Sequence, residues 1–212
     1  MRDIPMFTTE NGIATLVLKK IPYTKEAFVR VLDSQSCAEL LKECIDICRI
    51  AGAEIVYATG HQSLDTLPVF CEEMCYIANK HSFPHTDAVA LHATMEQLPW
   101  WRQIYNQKMS GVHAAAPLGE SEVESLIREG KAFCVYKECA IVGIGVAYDG
   151  QIHALASLVQ GAGPDVVLAL AKTFPQNEVS VCVASTNHKA LQVYRRLGFC
   201  EVQIETKWYK IF

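Results

Sequence analysis

Residues 185–199, with the sequence Ser-Thr-Asn-His-Lys-Ala-Leu-Gln-Val-Tyr-Arg-Arg-Leu-Gly-Phe, decide the fold prediction. They follow one apolar run, 179–184, and precede another, 202–212, and both runs are typical of strands. A short polar side chain at 185–187 can cap a helix start, and apolar residues then recur at helical spacing. Gly198 suits the left-handed conformation that ends many helices. The stretch therefore predicts a strand, a helix and a second strand.

Length, composition and charge narrow the class of protein. The 212 residues are enough for one large domain or two small ones, and half of them are apolar. A net charge of −4 gives no basic face of the kind that nucleic acid requires. The first residues contain no apolar run typical of a signal peptide or membrane span. We expect a cytoplasmic protein with neither a nucleic-acid nor a membrane partner.

Nine cysteines are a high number for this length. An odd count without a secretion signal argues against a disulfide framework. Cys71 and Cys75 are four apart, which is helical spacing, and His81 and His85 follow them. These four side chains could act as metal ligands, and a metal or redox sensor that uses the cysteines is a remote alternative. We expect instead that the thiols are buried as small apolar side chains and that no metal is bound.

Two segments of the chain show the same predicted order of elements. The first has a hairpin around Asn11-Gly12, a strand at 27–32, a helix at 37–50 and a strand at 54–58. The second has strands at 133–136, 140–147 and 151–159, a helix at 164–174 and a strand at 179–184. The offset is close to 126 residues (Phe7 to Phe133). The N-terminal part is therefore either a degenerate half-copy of the second or a coincidental likeness.

The segment between them adds a strand at 88–93 and helices at 98–109 and 120–129. Asn187 and Tyr194 lie seven apart, two helical turns, and so project from one side of their helix. With the Leu-Gly-Phe ending, this order resembles the GNAT N-acetyltransferase superfamily over residues 87–212. The resemblance implies an α/β (α+β) fold with a mixed, largely antiparallel central sheet flanked by helices. Residues 1–84 would be an N-terminal ββ-β-α-β extension and 85–212 the acetyltransferase domain.

A glycine-rich turn, Gln160-Gly161-Ala162-Gly163-Pro164-Asp165, stands between a predicted strand and helix. Free amides at a helix start, with the helix dipole behind them, form an anion site. In the GNAT family the corresponding turn holds the diphosphate of acetyl-CoA, and Gln160 and Gly163 fit its pattern. Asp165 replaces the usual glycine or alanine, and Pro164 lacks an amide hydrogen. The Asp165 carboxylate either satisfies the helix start itself and repels phosphate, or turns out to solvent while the neighbouring amides still bind.

The resemblance also assigns roles to single residues. The amide of Leu158 or Val159 would stabilise the acetyl carbonyl oxygen. Tyr194 would protonate the departing thiolate. The alternative for Tyr194 is a core aromatic that packs against Phe199. Asn187 would contact the cofactor or act only as a helix cap. His153, in the strand before the turn, is a candidate base or a structural histidine.

The sequence thus predicts an acetyl-CoA-dependent N-acetyltransferase whose partner is a primary amine of a small molecule or peptide. The alternative is a catalytically inactive GNAT-like protein that serves for ligand binding or interaction. Trp100, Trp101 and Tyr105 either line the acceptor pocket or belong to the core. The first 84 residues would cover a pocket or make a homodimer contact.

Overall fold

The computed structural model describes residues 6–113 and 115–212, and these form two compact units. Of the described residues, unit 1 contains 6–73, 113, 115–116 and Ile204–Phe212, and unit 2 contains Met74–Val112 and Pro117–Gln203. The division between the two units lies between Glu73 and Met74. The reason is packing, because alternate side chains of the next segment belong to the unit 2 core: Met74, Tyr76 and Ala78.

Unit 1 contains the hairpin, strand, helix and strand that the sequence predicted. Its elements are β1 (Met6–Thr9), β2 (Gly12–Val17), a short helix α1 (Ile21–Thr24), β3 (Glu26–Ser34), α2 (Cys37–Ile50) and β4 (Ile55–Thr59). The pairs β1–β2 and β2–β3 are antiparallel, and β3–β4 is parallel over five residue pairs. The chain end completes this sheet, because Tyr209 and Lys210 pair antiparallel with β4.

The core of unit 1 lies between one face of α2 and the sheet. Leu40, Cys44 and Cys48 are fully buried on that face, against strand residues such as Val29 and Val56. Burial raises the pKa of the Cys44 thiol to about 12 and that of Cys48 to about 11. Both thiols are therefore protonated and unreactive at neutral pH, which confirms that they serve as apolar core groups.

Unit 2 contains most of the remaining elements. They are β5 (Val69–Asn79, from Met74 onward), β6 (Val89–His92), α3 (Leu98–Met109), α4 (Glu120–Arg128), β7 (Ala132–Lys137), β8 (Ala140–Tyr148), β9 (Gln151–Ser157), α5 (Gly163–Ala171), β10 (Glu178–Ala184), α6 (His188–Arg196) and the start of β11 (Cys200–Lys210). Its strand order is β11-β5-β10-β9-β8-β7-β6. The β6–β7, β7–β8 and β8–β9 pairs are antiparallel and β9–β10 is parallel. The predicted fold class is confirmed.

Strand β5 is the element that the sequence reading missed. Cys71 and Cys75 lie on this strand and not on a helix, so their spacing of four is not a helical one. No group of three metal-binding side chains occurs within residues 6–113 and 115–212. In the same ranges, no helix is both long enough and apolar enough to cross a lipid bilayer.

Helix α5 is fixed closely against the sheet of unit 2. Every residue from Val166 to Ala171 is buried. Two glycines of β8 make this packing possible: a Cβ at Gly143 would lie 2.3 Å from Val166, and one at Gly145 would lie 2.4 Å from Leu170. The start of α5 is therefore held in a fixed position at the end of β9, where the predicted cofactor turn lies.

Candidate functional site

The parallel strands β9 and β10 pair only at one end. Ser180 is opposite Gln151, and Val181 is opposite Ile152; no further pair joins the two strands, both of which are described in full. From there to Ser157 and Ala184 the strands are not joined by a ladder. The backbone groups on these edges are thus available to a ligand inserted between the strands.

A β-bulge explains where the pairing stops. In the β8–β9 ladder, Ala147 is opposite Ile152 and Val146 is opposite Ala154, so His153 is an extra residue in β9. A bulge bends its strand and increases the local twist. The last β9–β10 pair involves Ile152, the residue just before the bulge. The bulge therefore directs the rest of β9 away from β10.

The glycine-rich turn lies at the open end of this gap. The amide of Leu158 donates to the carbonyl of Val142 at 2.8 Å, so it is unavailable to a ligand, and the expectation for Leu158 needs correction. The amides of Val159, Gly161 and Gly163 make no hydrogen bond to any described residue. Val159 is thus the available donor of the two candidates.

The main chain of the turn is accessible. Gly161 has a φ of +84°, which favours glycine, and no atom lies within 4 Å of where its Cβ would be. Gln160 and Gly161 are exposed, whereas Ala162 is buried and immediately precedes α5. A turn with accessible amides beside a helix start is suited to binding an anion.

Asp165 does not block this turn. One carboxylate oxygen accepts a hydrogen bond from the Thr86 hydroxyl at 2.6 Å, and the other accepts one from the Lys137 ammonium at 2.7 Å. These bonds hold the pKa of the Asp165 carboxyl below its ordinary value. Neither alternative predicted for Asp165 describes the structure: the carboxylate does not cap the helix and is not turned out to solvent, because it is bonded to two residues outside the turn. Sequence reasoning missed Thr86 and Lys137.

Helix α6 lies beside the turn. Val193 is the nearest side chain to Gly163, with its Cγ2 3.5 Å from where a Cβ would be. Asn187 caps this helix, because its side-chain oxygen accepts a hydrogen bond from the Ala190 amide at 3.2 Å. The helix-cap role of Asn187 is therefore present, and a cofactor contact through its amide nitrogen stays a prediction.

Tyr194 is almost fully buried in the core of unit 2, 6% exposed, and its ring lies 5.5 Å from that of Phe199. Burial raises the pKa of its phenol, and the nearby Cys182 contributes in the same direction. The phenol hydroxyl has no hydrogen-bond partner among the described residues. Tyr194 is thus a core aromatic that also retains a protonated hydroxyl with free hydrogen-bonding capacity.

The other predicted site residues lie away from the turn. His153 is at the far end of β9, about 16 Å from Leu158 at the usual strand rise, and its ring stacks on Tyr148 at 3.8 Å. Its pKa is lowered, mainly by burial. Trp101 is fully buried, donates from Nε1 to the Phe133 carbonyl and stacks on Tyr105, so these two aromatics belong to the core.

Comparisons with known proteins agree with this architecture. No protein-family model and no curated protein sequence matches the chain. Among solved structures, a conserved protein of unknown function from Staphylococcus epidermidis is 12% identical, with a TM-score of 0.56, covering 98% of this chain and 93% of its own. A GCN5-related N-acetyltransferase from Sphaerobacter thermophilus is 11% identical, with a TM-score of 0.56, and the match covers 93% of this chain and 75% of that protein. A GNAT-family acetyltransferase from Colwellia psychrerythraea is 10% identical, with a TM-score of 0.52, and the match covers 97% of this chain and 84% of that protein. At these identities the likeness concerns the fold alone: the chain has the fold of the GNAT acetyltransferases.

Proposed function

We propose that this protein is an acetyl-CoA-dependent N-acetyltransferase that acts on a primary amine of a small molecule or peptide. The observation that carries the proposal is the gap between β9 and β10, which opens at a turn with accessible, unbonded amides. The turn suits a diphosphate, and the gap suits an extended chain that bonds to strand edges. The two features adjoin in one unit.

The residues of the turn fit acetyl-CoA as a cosubstrate. The amides of Gly161 and Gly163, at the start of α5, would bind the diphosphate with support from the helix dipole. The unpaired edge of β9 would bind the pantetheine arm, and the Val159 amide would donate to the acetyl carbonyl oxygen as that oxygen gains negative charge. Bonding of Asp165 to Thr86 and Lys137 leaves the turn open for these contacts.

We assign the proton-transfer step to Tyr194 as the proposed general acid. The acceptor amine attacks the acetyl carbonyl in its neutral form, so its proton must pass to water. His153, the predicted base, lies about 16 Å along β9 from Leu158 and would receive that proton only through a chain of water molecules. The sulfur of CoA departs as a thiolate and must be protonated. The Tyr194 phenol, whose pKa is raised by burial, is protonated at neutral pH and would donate that proton.

The direct test is transfer of the acetyl group. The protein is incubated with acetyl-CoA and separate amine acceptors (a diamine, an amino sugar and a short peptide with a free N-terminus), and CoA and acetylated product are quantified by chromatography. We expect stoichiometric CoA and acetyl-amine from at least one acceptor. Binding of acetyl-CoA without transfer to any amine would favour the inactive alternative.

The inactive GNAT-like alternative has a specific observation behind it. Pro164 provides no amide to the first turn of α5, and Asp165 adds a negative charge there. Both changes weaken an anion site. In that case the same gap would serve ligand binding alone, and Tyr194 would be only a core residue.

We further propose that residues 1–84 are a degenerate half-copy of the catalytic half. The series β1, β2, β3, α2, β4 has the same antiparallel, antiparallel and parallel pairings as β7, β8, β9, α5, β10. In unit 1, β3 and β4 pair over five positions, and only Gln35 and Ser36 separate β3 from α2. Unit 1 therefore lacks both the gap and the glycine turn. Titration calorimetry should give one acetyl-CoA per chain; two sites would contradict this assignment.

A further inference from the structure

The first turn of α5 contains a charge network that the chemistry above does not use. Lys137, the last residue of β7, forms an ion pair with Asp165, with 2.7 Å between Nζ and Oδ2. The two side chains are 37% and 23% exposed, so water screens the pair only partly. Asp87 and Glu138 also face Lys137 and attract its ammonium, so Lys137 is the cation among three carboxylates.

Thr86 connects this ion pair to the body of unit 2. Its side chain is 4% exposed. The hydroxyl donates to Asp165 at 2.6 Å and accepts from the Ala88 amide at 3.1 Å, which fixes its direction. The Thr86 carbonyl accepts a hydrogen bond from Lys172, the residue after α5, at 2.6 Å. One buried residue thus binds side chains from both ends of α5.

The ion pair has an electrostatic consequence for the adjoining turn. Asp165 is the third residue of α5, within one turn of Gly163, so its unpaired charge would oppose an anion bound there. A cation bonded to the same carboxylate cancels most of that field at a distance of several ångström. Lys137 comes from another strand and is 28 residues away in sequence.

We propose that Lys137 is a positioning residue for acetyl-CoA: it neutralises Asp165 and holds it against Thr86, so that the turn accepts a diphosphate despite the acidic side chain. This inference rests on the proposed function, since it concerns the same cosubstrate. It predicts that affinity depends on the sum of two charges and not on either residue alone.

A charge cycle tests this proposal. Acetyl-CoA affinity is measured by titration calorimetry for the wild type, Lys137→Met, Asp165→Asn and the double variant. Lys137→Met should weaken binding about three- to tenfold, because it leaves the carboxylate unpaired. Asp165→Asn should tighten binding by a similar factor, because it leaves a free cation near the diphosphate. The double variant should return close to wild type.

Two controls separate charge from structure. Lys137→Arg keeps the cation and should bind within about twofold of wild type. The differences should also shrink between about 0.05 M and about 0.5 M NaCl, since salt screens charges at this separation. A structural role for Lys137 would weaken binding in the double variant as much as in Lys137→Met, without salt dependence.

The outcomes distinguish this inference from the proposed function. If the wild type binds acetyl-CoA and all four proteins bind equally, the charge proposal is wrong and the acetyltransferase proposal stands. A weaker Asp165→Asn variant would equally overturn it, because the carboxylate would then be supporting the site. If the wild type shows no binding at all, the proposed function fails first and this inference fails with it.

Discussion

Tyr194 is the residue on which the proposed chemistry depends most. Replacing it by phenylalanine keeps the buried ring against Phe199 and removes only the hydroxyl. We expect kcat to fall about 100-fold, the scale of one general acid, while the affinity for acetyl-CoA stays within about twofold. Steady-state kinetics with calorimetry on the same preparation measure both quantities.

Tyr105 offers a matched control for this change. It is also buried in unit 2, and burial also raises its phenol pKa, but it stacks on Trp101 in the core. Tyr105→Phe should leave kcat unchanged. Equal rates for the two variants would assign Tyr194 a packing role only and would exclude it as the general acid.

His113 should make the stability of unit 1 depend on pH. Its ring lies 4.6 to 5.6 Å from four aromatic rings, and burial lowers its pKa to about 4. The unfolded chain, with a pKa near 6.5, therefore binds a proton at higher pH than the folded chain does. The contribution of neutral His113 to the free energy of unfolding is therefore fully present above pH 6.5 and is lost as the pH falls from 6.5 towards 4. After allowance for partial exposure of the ring, this loss is about 2 kcal/mol. The four rings are those of Phe28, Tyr57, Phe70 and Trp208.

His113→Phe tests that assignment by difference. The Nε2 atom of His113 is buried without a hydrogen-bond partner, so a phenyl ring loses no bond there. Urea unfolding at pH 7 and pH 4.5 should show a smaller pH-dependent loss in the variant than in the wild type. The carboxylates titrate in the same way in both proteins, so their effect on the unfolding free energy cancels when the variant is compared with the wild type. The same loss in both would mean that His113 is not buried in its neutral form.

For single residues, roles that depend on neighbours in the sequence were predictable, and hydrogen-bond partners far away in the sequence were not. Asn187 as a helix cap follows from its position before an amphipathic run, and the structure confirms it. The partners of Asp165 come from 79 and 28 residues away, so no local pattern names them. Likewise, the occupied amide of Leu158 depends on the β8–β9 register, which only the folded sheet defines.

The element that matters most is β9, whose bulge ends its pairing with β10. Deleting His153 removes the extra residue and leaves Ala154 and Ile152 as consecutive partners of Val146 and Ala147. The β9 residues after position 153 then keep the partners on β8, and the sides of the sheet, that they have in the wild type. We expect a folded variant in which β9 pairs further along β10, with acetyl-CoA affinity at least about tenfold lower by calorimetry.

His153→Ala is the companion variant, because it keeps the bulge and removes the imidazole. It should bind acetyl-CoA normally, and its kcat reports separately on whether His153 serves as the base. If the deletion variant is folded by circular dichroism and binds acetyl-CoA as tightly as wild type, the bulge does not create the cofactor gap.

Helices and strands with strong periodicity were predicted almost to their ends, as with α2 and α3. The strand β5 was missed because two cysteines four apart suggested helical spacing, whereas the alternate burial of Met74, Tyr76 and Ala78 is that of a strand. The gap between β9 and β10 could not be predicted either. Strand separation depends on which residues pair, and pairing is a property of the sheet.

For the whole molecule, we propose one cofactor site in unit 2 and none in unit 1. Both units have the same pairing pattern, and β3 also has an extra residue against β2, Leu32. Among the described residues, only unit 2 has the gap and the glycine turn together. Fold likeness extends over 93% or more of the chain in the relatives compared above, so it does not by itself say which part is functional. That distinction comes from the turn and the strand edges.

Thermal unfolding with and without acetyl-CoA shows whether the glycine-rich turn binds this cosubstrate. A ligand at a hundred times its dissociation constant adds about 2.7 kcal/mol to stability, so we expect Tm to rise by several degrees with millimolar acetyl-CoA. Gly163→Leu places a side chain beside Val193 and in front of the turn amides, and should remove the rise without lowering the Tm of the free protein by more than a few degrees. An unchanged wild-type Tm at millimolar acetyl-CoA, or an equal rise in Gly163→Leu, would contradict a cofactor site at this turn.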